Sequence, residues 1–357
     1  MERIKKLLKH IDLGTNECII IFGVPNIFYF TNYYGPGALI HCNENSILVV
    51  PLLEKYRAES NAYKSIEVVA YYPFKIQDGV IEGNLLTSIQ KIIGNNRKRV
   101  LVDKEWMSIP QLEMLKAYEI EDISKEIWKI RSIKTSDEIE NIIKAGDITK
   151  KAMEKAMEAY YSSEKLSEKE LAGIIDYYMK KYGAEDYAFP SIVAFGKNSA
   201  EPHHVPSDVK LSENDIMLID IGAKYSGYCF DSTRTLIGKV KDQEIKKVYE
   251  AVLEAQLTSI DNVHDGVLAS ELDTLSRKIL DKYDLSRNFI HSLGHGVGIE
   301  IHEFPTLSQL SKDVRLEKNM VITIEPGVYF KDKYGIRIED TIIVTSDKAK
   351  VIETLPK

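Results

Sequence analysis

Leu218-Ile-Asp-Ile-Gly-Ala-Lys-Tyr-Ser-Gly-Tyr-Cys-Phe-Asp-Ser-Thr-Arg-Thr235 sets two aspartates, Asp220 and Asp231, among strand-forming residues on either side of a turn. A carboxylate inside a strand of Ile, Leu and Phe is costly to bury unless it is paired or bound to a cation. The two aspartates lie symmetrically about a turn centred between Tyr225 and Ser226. A hairpin closing there sets them directly opposite on one sheet face, with Cβ atoms about 4.5–5.5 Å apart. Like charges so placed repel, and a bridging cation resolves the repulsion. Two other outcomes stay open. Tyr-Ser is not a preferred two-residue turn, so Gly227 can introduce a bulge; or one aspartate caps a turn while the other is exposed.

The same construction recurs downstream. Glu325, in ITIEPGVYF, and Glu339, in YGIRIED, lie symmetrically about Asp332. A hairpin through Lys331-Asp-Lys333 again opposes two acids on otherwise apolar strands. Between the two hairpins in sequence, three of the chain's 8 histidines (His291, His295, His302) fall in one glycine-rich run. Two Asp, two Glu and at least one His form a carboxylate-rich, thiolate-free set, which favours Mn, Fe, Co or Mg over a structural zinc site. Four carboxylates suit two ions with bridging ligands. Ions held about 3.5–4 Å apart lower the pKa of a water between them and polarise a carbonyl, which is the chemistry of hydrolysis, most simply of an amide. No G-x-S-x-G elbow, H-E-x-x-H helix or C-x-x-C competes; His302-Glu303 is followed by Phe304-Pro305 and yields no second helical histidine.

The 357 residues are too many for one ordinary core and imply two domains. A net charge of −7 leaves no basic footprint for nucleic acid. The start MERIKKLLKH has no apolar stretch of a secretory signal, and the apolar runs are too short to span a bilayer. Three scattered cysteines, Cys18, Cys42 and Cys229, argue for a reducing, cytoplasmic setting and against a disulfide framework. Residues 1–122 read as a small α/β domain, with strands at 18–22, 46–50, 66–71 and 99–103. Residues 123–357 read as an α+β domain, its helices opened by the capping boxes Thr135-x-x-Glu138 and Ser167-x-x-Glu170 and its strands antiparallel.

Five segments in order, FPSIVAFGKNSAEPHH, LIDIGAKYSGYCFDSTRT, HSLGHGVGIEIHEFP, ITIEPGVYF and YGIRIEDT, resemble the prolidase and aminopeptidase P family of pita-bread metallopeptidases. The resemblance covers about 123–357 strongly, and the front half is similar to that family's N-terminal domain. It implies a pita-bread catalytic domain and two divalent ions, Mn or Co first, with Zn or Fe as alternatives. Asp220 would then hold the second metal, Asp231 and Glu339 would bridge both, and His295 and Glu325 would complete the first site. Glu325 would also manage the proton of the attacking water, while His203 and His302 would face the substrate. His204 reads as a bystander, and His291 as a support outside the metal shell. Arg337 is either a support for Glu339 or an ordinary surface arginine.

The resemblance further implies hydrolysis of the Xaa-Pro bond in dipeptides or short peptides by a homodimer. The choice lies between a dipeptidase, which the short chain favours, and an aminopeptidase P acting on longer peptides. Some prolidases carry an arginine directly after the His-Glu-aromatic-Pro element, where it meets a dipeptide's free carboxylate; this chain has Thr306. Tyr33 or Tyr34 of a partner subunit would be the substitute. Metal-free creatinase-like C–N cleavage and a non-catalytic binding module are the other uses of the fold, and both tend to lose the five ligands that this chain keeps.

Overall fold

The computed structural model describes residues 2–94, 98–162, 165–352 and 355–357. The chain divides into two compact units, Met1–Arg131 and Ser132–Lys357. No helix among the described residues is long and apolar enough to cross a membrane.

The first unit is built on one seven-stranded sheet. Its strands run, in spatial order, Val80–Glu82, Glu67–Tyr72, Asn45–Pro51, Ala38–Cys42, Glu17–Ile21, Arg99–Val102 and Glu119–Asp122. Only Ala38–Cys42 is antiparallel to its neighbours. The central strands Glu17–Ile21 and Arg99–Val102 are apolar almost without interruption, as strands covered on both faces must be. Val24–Thr31 looks like a strand by composition (VPNIFYFT) but is a helix, with Pro25 in its first turn. Buried Asp103 secures its entry by accepting from the N–H groups of Phe22 and Gly23 and from Asn26 Nδ2.

The cysteine expectation is corrected here. Cys18 and Cys42 face each other in the register of the two antiparallel strands, with Cα atoms 4.7 Å apart, and are joined by a disulfide. Alternating strand residues hid this pairing, because a separation of 24 residues carries no local signal. Cys229 is free and buried.

The second unit contains two sets of sheets, each backed by a helix pair. Ser136–Tyr161 and Glu168–Lys181 open with the expected capping boxes at Thr135 and Ser167, and they cover the strands Ile192–Phe195, Met217–Ile221 and Ser232–Leu236. Gln243–Asp261 and Ala269–Asp281 pack in a second core with Val321–Ile324, Tyr334–Arg337 and Asp340–Ile343. The α+β expectation for this region holds.

Each long strand read from the sequence is broken once. The first hairpin is Met217–Ile221 and Ala223–Tyr225 against Tyr228–Cys229 and Ser232–Leu236. The second is Val321–Ile324 and Gly327–Phe330 against Tyr334–Arg337 and Asp340–Ile343. Asp231, Glu325 and Glu339 all sit in the breaks. Their backbone N–H groups are thus free of a regular ladder; Glu325 N–H goes to Leu293 O at 2.8 Å and Glu339 N–H to Thr233 O at 3.1 Å. The breaks let carboxylates gather where continuous strands would carry them past one another.

Candidate metal centre

In the first hairpin the turn is one residue later than the sequence symmetry suggests. Tyr225 pairs with Tyr228 across Ser226-Gly227, which have φ of 47° and 79°. Two successive positive φ values make the mirror-image turn that matches strand twist, and Gly227 accommodates it. Asp220 is therefore opposite Thr233, not Asp231. The displacement is two residues, so Asp231 stays on the same sheet face as a diagonal neighbour of Asp220. In the second hairpin the register follows the expectation. Ile324 pairs with Asp340 and Gly327 with Arg337, which leaves Glu325 and Glu339 opposite each other in the break.

His295 comes from the short strand Gly294–Gly296, beside Val321–Ile324. Its Nδ1–H donates to Gly296 O at 3.1 Å, which turns Nε2 towards the acids. That nitrogen lies 3.2 Å from Glu325 Oε1 and 3.5 Å from Asp231 Oδ2. Asp231, His295 and Glu339 each offer a ligand atom within 4.8 Å of the others. A Cβ on Gly294 would lie 2.1 Å from Thr323 O, so glycine lets the histidine strand come this close to its neighbour.

Three oxygens decide what the cluster can hold. Asp220 Oδ1, Asp231 Oδ1 and Glu339 Oε1 are buried without a hydrogen-bond partner among the described residues. A buried anionic oxygen without a partner costs several kcal/mol, so a counter-charge has to be supplied. Protonation is one answer: burial, then neighbouring carboxylates, push both Asp231 and Glu339 well above the usual carboxylate range. Divalent cations are the other, and oxygen donors with one imidazole fit hard or borderline ions. Glu325 departs from its neighbours. Burial raises its pKa, but hydrogen bonding and charge from His295 outweigh that and leave it lowered. His295 is correspondingly raised, its burial outweighed by Glu325.

Hydroxyls and one guanidinium fix the remaining carboxylate oxygens. Thr233 Oγ1 donates to Glu339 Oε2 at 2.6 Å, and Thr323 Oγ1 to Glu325 Oε1 at 3.1 Å. Arg337 is buried, not a surface residue, and its direct carboxylate partner is Asp220, not Glu339. It also donates to Thr233 Oγ1 and to Tyr329 Oη, and Tyr329 joins His291 Nε2 at 3.0 Å. Sequence reading missed Thr233, Thr323 and Tyr329. Their one signal was alternation, since each lies an even number of residues from an acid on the same strand line.

The outer histidines are placed differently. His302 is exposed, with its ring edge-on to His295 at 4.3 Å between centroids. Partial desolvation, then the His295 charge, lowers its pKa. His203 is exposed on its loop. His204 is buried between Glu168 and Glu201, which makes it a fastening of that loop rather than a bystander. Tyr33 is buried and donates to Glu54, while Tyr34 is exposed. His291 stands outside the carboxylate group, as expected.

Residues 140–346 match the model of metallopeptidase family M24, and residues 3–133 match the creatinase/prolidase N-terminal domain. An Xaa-Pro dipeptidase of Pyrococcus furiosus is 36% identical over 351 residues, covering 98% of this chain and 97% of that one. The crystal structure of the prolidase from Pyrococcus horikoshii OT3 superposes with a TM-score of 0.89 at 34% identity, covering 100% of this chain and 99% of that chain. An X-Pro aminopeptidase from Thermotoga maritima is similar too, with a TM-score of 0.84 at 28% identity over 98% of each chain.

Proposed function

The chain belongs to metallopeptidase family M24, and from that premise we propose that it hydrolyses the Xaa-Pro bond, as an Xaa-Pro dipeptidase. The observation that carries the metal dependence is the convergence of three partnerless buried carboxylate oxygens with His295 Nε2. Asp220, Asp231, His295, Glu325 and Glu339 would hold two divalent ions, Mn or Co in our reading. Bound there, such ions supply an activated water and an electrophilic seat for the carbonyl oxygen.

The chain's own groups divide the remaining work. Glu325, the carboxylate kept ionised beside His295, takes the proton of the attacking water at its carboxylate and returns it to the proline nitrogen. His302, neutral at pH 7 because its pKa is lowered, keeps an imidazole N–H to donate to the developing oxyanion. His203, on an exposed loop, faces the peptide. Arg337 holds Asp220 in one orientation.

Thr306 favours a second reading, Xaa-Pro aminopeptidase activity on longer peptides. It pairs with His295 and offers no cation to a free carboxylate. Rates on Xaa-Pro dipeptides and Xaa-Pro-Yaa tripeptides, with Mn or Co added, separate the two. Release from tripeptides alone excludes the dipeptidase, and no release from either excludes both. Assembly as a homodimer is part of the proposal, and Tyr34 is exposed as a residue offered to a partner subunit would have to be.

A further inference from the structure

The geometry points to Asp273 and Arg277, on the helix Ala269–Asp281, as positioning residues for the acid–histidine cluster. This rests on reading that cluster as the metal-dependent peptidase site. An acid and an arginine four residues apart on a helix ordinarily form a solvated pair of little consequence. Here Asp273 is fully buried, and the pair faces the irregular segment that leads into His295.

Residues 289–293 lie between a short 3-10 turn and the strand Gly294–Gly296, so no ladder fixes most of their peptide groups. Arg277 supplies what is missing. Its Nε donates to Asp273 Oδ2 at 2.7 Å, Nη1 to Phe289 O at 2.7 Å and Nη2 to His291 O at 2.6 Å. Asp273 Oδ1 accepts the Leu293 N–H at 3.0 Å, an N–H shared with Leu307 O at 2.9 Å, and Leu293 O accepts the Glu325 N–H at 2.8 Å. One residue thus links the helix pair to the backbone of Glu325, and His295 follows two positions on.

A second route leaves from the same guanidinium. It stacks on Phe289 at 4.3 Å, and Phe289 meets His291 edge-on at 5.0 Å. From His291 the contacts pass through Tyr329 and Arg337 to Asp220. Only a planar fork can serve a carboxylate and two carbonyls at once; a lysine ammonium in that place keeps the charge and loses the geometry.

The test compares wild type, Arg277→Lys, Asp273→Asn and a control, Ile175→Val, in the full-length protein. Ile175 is buried on the helix Glu168–Lys181, in the other core of the unit, and its trimming costs stability without touching residues 289–295. Co(II) affinity and the visible Co(II) spectrum are read beside kcat and KM on an Xaa-Pro dipeptide. Arg277→Lys is expected to weaken Co(II) by about tenfold or more, to alter the spectrum, and to lower kcat more than it raises KM. Asp273→Asn loses less, since its amide oxygen still accepts from Leu293, and Ile175→Val keeps wild-type affinity.

Wild-type Co(II) affinity and spectrum in both helix variants, whatever their Tm, would overturn the inference alone. So would an equal loss of affinity in Ile175→Val. Should Arg277→Lys fail to fold, Asp273→Asn decides on the same readouts. Absence of Co(II) binding in the wild type would overturn the peptidase-site reading and this inference with it.

Discussion

Arg337 Nη2 donates to Asp220 Oδ2 at 2.6 Å, in a place where both side chains are almost wholly out of water. The contact leaves Asp220 with one engaged oxygen and one, Oδ1, that no described protein group satisfies. The same guanidinium reaches Thr233 Oγ1, which donates to Glu339. A single cation thereby aims carboxylates from both hairpins. Burial opposes its charge, but Tyr329 and Asp220 outweigh that and hold its pKa well above the usual value.

Arg337→Lys retains the charge but reaches only one of these partners. Divalent-ion affinity should fall about 10–100-fold, with kcat/KM falling alongside. Isothermal titration with Mn or Co checks this. Unchanged affinity would mean that Asp220 needs no guanidinium to orient it.

A Cβ at Gly222 would stand 1.8 Å from Phe230 O, one residue before Asp231. Gly222→Ala must therefore separate the hairpin just where Asp231 is presented. We expect a loss of about 1–3 kcal/mol together with loss of the Tm increase that Mn or Co gives the wild type. Gly173→Ala is the contrasting case. It lies in a helix, meets nothing within 4 Å, and should stabilise by about 0.5–1 kcal/mol. Denaturant melts of both variants decide.

His204 and Glu168 make stability depend on pH. Burial opposes a charge on His204, but Glu168 and Glu201 outweigh it, so its folded pKa is raised. The folded state holds that proton more tightly, and the stabilisation is complete below about 6.5, the unfolded value. It is lost as pH rises through the folded pKa. Glu168 runs the other way. Burial is outweighed by donors from Ser207, Phe195 N–H, His204 and Asn198, its pKa is lowered, and its contribution is lost on acidification below the usual glutamate range. The Tm advantage of wild type over His204→Gln should be widest near about pH 5–6 and narrow towards pH 9. A gap that does not change with pH would show that the pair carries no proton linkage.

The Cys18–Cys42 bond predicts a thiol count. Of the 3 cysteines, denatured protein should label one, Cys229, without reductant and all three after reduction. Reduction should cost the first unit about 3 kcal/mol, by the chain-entropy estimate for a loop of this order. Three labels without reductant would restore the reducing-compartment reading.

Much of the centre is legible in the sequence. Buried acids on apolar strands stand out because their burial needs an explanation, and Glu325 and Glu339 are equidistant from the turn that joins them. The symmetry of Asp220 and Asp231 puts the turn one residue early and their pairing two residues out of register, because it follows the acids and not the backbone. Ser226 and Gly227 set the turn through their positive φ values. The family resemblance and the α+β architecture could be read from motif order, and the helix starts at Thr135 and Ser167 from capping boxes alone.

What the sequence determined by itself was local: which residues are too polar for their neighbours, where helices begin, and which side chains alternate onto one face. Period and propensity act over a few residues, so they survive without a fold. The partners of those residues are a different matter. Arg337 meets Asp220 across 117 positions, Asp340 meets Arg234 across 106, and the Leu293 N–H finds Asp273 across 20. No spacing rule encodes such contacts, because they exist only once two cores have packed and excluded water. The acids were written in the sequence; the groups that hold them still were decided by tertiary packing.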